Sequence, residues 1–213
     1  MIIKMKKKGK DRMDFVLEGV SIPFANALRR VMVSEIPVLA VEWVDINDNT
    51  SPIFDEIIAH RLGLLPLVFD PAKFKFQEDC SCKEKGCPSC QVTFVLEKKG
   101  PCMVTSGDLK SSNKDVKPTD KGFIIAELLQ NQFISLEATA KLGTGKDHAK
   151  FQAANTSYQN QPEMKGGEVN TKPESFLFHV ETISGLTPQY IAEKAGEILA
   201  EKAAAFKKEA AKL

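Results

Sequence analysis

A chain of 213 residues is long enough to bury a sizeable core, as one large domain or two modest ones. Its 43% apolar and 27% charged residues are ordinary for a water-soluble globular protein, and a net charge of +1 excludes a global field that would drive it onto nucleic acid or membrane. No run reaches the length of a transmembrane helix, and the N-terminal lysines precede no apolar signal-peptide core, so a cytoplasmic chain with no membrane contact is expected.

Met1 to Glu18 reads as two strands around a turn at Lys6 to Asp11, with Met13, Phe15 and Leu17 alternating with Asp14, Val16 and Glu18. The lysines at 4, 6, 7, 8 and 10 have two readings, a solvated hairpin tip or a phosphate contact. Ser21 to Pro37 follows as an amphipathic helix whose apolar stripe is Phe24, Ala27, Leu28, Val31 and Met32. The Ser21 hydroxyl is placed to cap it, Pro23 fits the first turn, and Pro37 stops it. Its polar face carries Asn26, Arg29, Arg30 and Glu35, and the arginine forks suit carboxylate or phosphate.

Val38 to Ile46 is the next expected strand, and the turn-rich Asn47 to Pro52 suggests a domain boundary. A short helix over 55–62, capped by Asp55 and ending near Gly63, leads into a strand at Leu65 to Phe69. Strands are expected at Gln91 to Glu97, Met103 to Ser106, Ile124 to Leu128 and Phe133 to Leu142, with a polar loop from Lys110 to Lys121. Asn155 to Lys172, rich in Gln, Asn, Gly and Lys, reads as a flexible linker. A strand around Phe176 to Val180 and a long helix from Thr187 to the end complete the chain, the helix carrying Ile191, Ala195, Ile198, Leu199 and Phe206 as its stripe. That stripe is longer than a small unit can cover, so part of it should meet another chain.

Four of the five cysteines, Cys80, Cys82, Cys87 and Cys90, fall within eleven residues as C-x-C-x4-C-x2-C. This is the pattern of a metal site rather than of a secreted disulfide framework. Four thiolates close the coordination sphere of a tetrahedral ion, so the expected zinc would be structural, with free thiols or disulfides as the alternative state. Cys102 stands apart in an apolar setting and reads as core.

Catalytic motifs are not in evidence. His179-Val-Glu181 echoes the H-x-E of zinc deaminases, but the cysteines precede it instead of following, and it reads as a half-buried strand residue. His60 and His148 read as hydrogen-bonding struts, and Asp55-Glu56 is explained by a helix N-terminus. No Walker A loop, G-x-S-x-G or H-E-x-x-H is present, so no catalytic residue is assigned.

Three segments together resemble the α-like subunits of multisubunit RNA polymerases, a family with archaeal members, the third-largest eukaryotic subunit and bacterial α. They are Asn26-Ala-Leu-Arg-Arg30, the run from Asp55-Glu56 through His60-Arg-Leu-Gly63 to Pro66-Leu67, and Leu142-Gly-Thr-Gly-Lys-Asp-His-Ala-Lys-Phe151. The resemblance is to the archaeal members above all. It runs from about residue 1 to 158 and resumes near Pro173. It implies an α+β fold in which residues 1–47 and 173–213 form one discontinuous dimerisation domain, a mixed sheet with two main helices. Residues 48–172 would be an inserted, mainly β domain with the cysteine loop.

The resemblance further implies a non-catalytic assembly subunit that pairs with the small subunit L and supports the large catalytic subunits, alongside the other small subunits. DNA would be met only through the complex. The pairing surface would include Phe24, Leu28, Val31, Met32, Ile191, Ala195, Ile198 and Leu199, and Arg29 and Arg30 would meet a large subunit. Eukaryotic relatives carry zinc at a similar loop, while archaeal members vary. Many archaeal members insert a ferredoxin-like domain after the segment matching His148 to Tyr158; here only Asn155 to Lys172 follows, without cysteines, so no iron–sulfur cluster is expected. The competing reading is a stand-alone zinc-loop nucleic-acid-binding module, disfavoured because basic and acidic residues interleave, 29 against 28.

Overall fold

The computed structural model describes every residue except Glu84, Gly166, Gly167 and Leu213, and it leaves out the side chains of residues 163–165, 168–170 and 173. In chain order the elements are β1 (Ile2–Lys8), β2 (Arg12–Glu18), α1 (Ile22–Ser34), β3 (Val38–Asn49), α2 (Asp55–Gly63), β4 (Leu67–Val68), β5 (Gln91–Lys99), β6 (Cys102–Thr105), β7 (Lys110–Ser111), β8 (Lys117–Pro118), β9 (Ile124–Leu128), β10 (Phe133–Gly143), β11 (Ala154–Lys165), β12 (Glu168–Thr182) and α3 (Pro188–Ala210). The fold is α+β, and the chain forms two compact units: Met1–Ile36 with Gln152–Leu213, and Pro37–Phe151. No described helix is long and apolar enough to cross a membrane.

The first unit is built from the two ends of the described chain. Its sheet runs β1-β2-β12-β11, and every pairing is antiparallel where a mixed sheet was expected. The alternation in β2 brings Met13, Phe15 and Leu17 opposite Val180, Phe178 and Phe176. Phe15 and Phe178 stack with centroids 5.1 Å apart, and Tyr158 meets Phe176 edge-on at 5.5 Å. Helices α1 and α3 pack on each other and on the sheet. On α1 the buried residues are Ala25, Leu28, Val31 and Met32, with Ala27 only half-buried, so the stripe is rotated slightly from the one read in sequence.

The two caps differ. Thr187 Oγ1 accepts from the Tyr190 backbone N–H at 3.3 Å, as its position before Pro188 predicts, whereas Ser21 makes no side-chain cap bond. In α2, Phe54 occupies the cap position, and Asp55 sits inside the helix where its carboxylate takes a 2.7 Å bond from Asn49 Nδ2. Leu64, with its backbone N–H bonded to His60 O, ends that helix immediately after Gly63.

The second unit holds the sheet β3-β10-β5-β7 and two small hairpins, β4 with β8 and β6 with β9. Here the expected boundary at 47/48 moves to 36/37. β3 does not end at Ile46: it pairs with β10 from Val38 to Asn49, and a strand follows the sheet that takes its hydrogen bonds. The boundary expected at 172/173 moves to 151/152 for the same reason. Asn155 to Lys172 is not a linker but the two arms of a β-hairpin, β11 on β12, paired from Ala154↔Thr182 out to Lys165↔Glu168. Gly166-Gly167 lies outside the described residues. The loop Lys110 to Lys121 likewise contains the short strands β7 and β8, while the strand expected over Leu65 to Phe69 reduces to Leu67–Val68.

Candidate functional site

The cysteine loop folds by local bonds. The Cys80 backbone N–H donates to Gln77 O at 3.3 Å, that of Cys90 to Cys87 O at 3.0 Å, and Lys75 N–H ties the segment to Ser89 O at 2.9 Å. Gly86 adopts φ +82, and a Cβ there would run into the Gln91 side chain, so the turn between the cysteine pairs needs glycine. The result draws all four predicted ligands together, their sulfurs within 4.8 Å of one another. Cys80 and Cys87 Sγ lie 3.4 Å apart, and Cys82–Cys90 and Cys87–Cys90 are each 3.7 Å.

A tetrahedral ion with sulfur bonds of about 2.3 Å sets its ligands about 3.8 Å apart, so the arrangement fits a metal ion. The backbone N–H of Ser89, helped by the Cys80 thiol, brings Cys87 down to about 7. Burial pushes Cys90 up to about 12. One thiolate therefore forms near neutral pH, and a bound cation would draw off the remaining protons. Cys102 is half-buried and outside the cluster, its thiol directed at Lys99 O at 3.5 Å.

A different feature marks the first unit. Between β1, β2, α1 and α3 lies an apolar groove of about 380 Å³, lined by Ile3, Met5, Phe15, Phe24, Leu28 and Met32, with Ala192 and Gly196 on α3. Ile3 is 62% and Phe24 38% exposed. The eight residues expected at a pairing surface divide. Val31, Met32, Ile191 and Ala195 are fully enclosed and serve as internal packing between helices and sheet; Leu28 is nearly so. Phe24 faces solvent, and Ile198 and Leu199 are half-buried. Beyond Leu199 every described residue of α3 is exposed, including Phe206 at 76%. Arg29 is half-buried and leans back on Asn26 Oδ1 at 3.3 Å, while Arg30 is exposed, so the two do not act as one fork.

Two clusters carried no sequence signal. Glu42 in β3 receives Lys141 at 3.3 Å and Lys150 at 2.5 Å, joining the strand to the turn that follows β10. In that turn His148 Nδ1 accepts from the Lys150 N–H at 3.1 Å, a strut as expected, and Asp147 caps Thr144 N–H at 2.9 Å. In the first unit His179 is half-buried and its Nδ1 lies 2.8 Å from Asp14 Oδ1, with Arg12 3.1 Å from the same oxygen. Only cross-strand register could have revealed either cluster.

The α+β scaffold, a two-segment unit with an inserted β-rich unit that carries the cysteine loop, is the arrangement the resemblance to the α-like polymerase subunits implies. The chain belongs to that family: residues 44–160 match the model described as RNA polymerase Rpb3/RpoA insert domain. Relatives named DNA-directed RNA polymerase subunit Rpo3 agree. That of Methanothermobacter thermautotrophicus is 41% identical over 172 residues, covering 79% of this chain and 65% of that protein. Those of Archaeoglobus fulgidus and Pyrococcus horikoshii are each 45% identical, covering 66% and 74% of this chain and 53% and 58% of theirs. The chain thus spans between half and two thirds of the length of these curated relatives.

Proposed function

We propose that this chain is an α-like assembly subunit of an archaeal-type DNA-directed RNA polymerase, without a catalytic site of its own. The apolar groove between β1, β2, α1 and α3 carries the reading, because a small partner of the same half-fold, subunit L, could seat a helix there. The heterodimer is then the platform for the large subunits and other small subunits, with Arg29 and Arg30 toward a large subunit. The exposed half of α3 extends the surface available to the partner. In the second unit, Cys80, Cys82, Cys87 and Cys90 hold a structural zinc ion, which fastens the loop before β5 and leaves no open coordination position. The complex works in the cytoplasm.

Co-expression with subunit L, followed by light scattering, tests the pairing. A 1:1 heterodimer is expected, broken by Phe24→Asp with no loss of the monomer's fold. A monodisperse chain that ignores subunit L would sink the proposal.

A further inference from the structure

The first strand and its turn concentrate positive charge. Residues 1–12 carry six basic side chains and one acidic one, a local +5 in a chain whose total is +1. All twelve are exposed, and β1 is an edge strand of its sheet. Lys4 stands opposite Val16 and Lys7 opposite Asp14, with an irregularity between Met5 and Lys7 that inserts Lys6. Without that extra residue Lys7 would share the groove face with Met5; the bulge returns it to the outer face beside Lys4.

Two of the carboxylates nearby, Glu18 and Asp14, are already engaged. Glu18 takes Lys4 at 2.8 Å and Lys172 at 3.0 Å, and Asp14 takes Arg12 and His179. Lys6, Lys7 and Lys10 have no ion pair with any described residue. We propose that this hairpin binds the phosphate backbone of duplex nucleic acid, without sequence preference. Ammonium groups act as point charges that neutralise phosphates and release counterions, but they lack the fork that reads base edges. A protein partner would want an apolar anchor among the charges. Met5 turns to the opposite face, and Ile2 lies at the far end of the strand.

This proposal stands apart from the polymerase reading, since its test needs no other subunit. The full chain is titrated into a fluorescein-labelled duplex of about 30 base pairs at several salt concentrations, reading anisotropy. With three phosphate contacts, affinity should fall about 40-fold from 50 to 200 mM salt. The triple variant Lys6→Ala, Lys7→Ala, Lys10→Ala should lose at least about tenfold at low salt and flatten the slope by about 2.7. The equally charged control Lys110→Ala, Lys114→Ala, Lys121→Ala should change binding less than about twofold. Circular dichroism confirms that both variants fold. Absence of binding at 50 mM salt, equal losses in both variants, or equally tight binding of a polyglutamate peptide would each overturn the proposal.

Discussion

Lys150 Nζ lies 2.5 Å from Glu42 Oε2 with only 14% of the lysine side chain exposed, and the stem of the same lysine passes 3.9 Å from where a Cβ on Gly63 would sit. The ion pair thus ties the turn after β10 to β3, and the stem of its lysine runs beside the end of α2. Burial pushes the Glu42 carboxyl up, but Lys150 and Lys141 together outweigh it and hold it below its ordinary 4.5. A carboxylate with a lowered folded value stabilises above its unfolded value and loses that contribution as pH falls through the folded one. Glu42→Gln should therefore cost about 1–2 kcal/mol at pH 7 and less at about pH 3, below the ordinary carboxylate value, where the contribution is being lost. Urea midpoints of both proteins at the two pH values check this; an equal gap at both would refute it.

Gly143 ends β10 beneath Phe151, and a Cβ there would lie 2.6 Å from the ring, which is 3% exposed and has nowhere to move. Gly143→Ala is expected to destabilise by about 1–3 kcal/mol through overpacking. Denaturant unfolding with an unchanged slope and a lower midpoint would support it, and wild-type stability would not.

The thiolate cluster should take up one divalent ion per chain. Cobalt loading should give the intense sulfur-to-metal charge-transfer band of a four-thiolate site, lost in Cys90→Ser. Chelation of the zinc form should lower the melting temperature, while Cys102→Ser leaves metal content unchanged because its sulfur points to Lys99 O. Metal uptake that survives replacement of all four cysteines by serine would place the site elsewhere.

Thr187 and Ser21 make a matched pair for a capping test. Thr187→Ala removes an observed bond to the Tyr190 N–H and should cost about 1 kcal/mol; Ser21→Ala removes none and should cost far less. Thermal melts of the two variants decide it, and equal shifts would contradict the assignment.

Much of this was legible in the residues alone. The amphipathic spacing of Leu28, Val31 and Met32, the proline that ends α1, and Thr187-Pro188 at the head of α3 are local signals, written within a turn or two of chain. The four cysteines were equally plain, because their spacing confines the sulfurs to one loop before any tertiary contact forms.

What tertiary structure alone decided is non-local. Asn155 to Lys172 looks like a linker by composition, yet its backbone is paired strand to strand, since hydrogen bonds to a partner outweigh weak intrinsic β propensity. The unit boundary moved to 36/37 because β10, about a hundred residues away, takes the bonds of β3. Burial of Val31, Met32, Ile191 and Ala195 against exposure of Phe24 was likewise settled by how α1 and α3 pack on the sheet. Periodicity names a helix's apolar face; only the packing says whether that face is covered by its own chain or left for another.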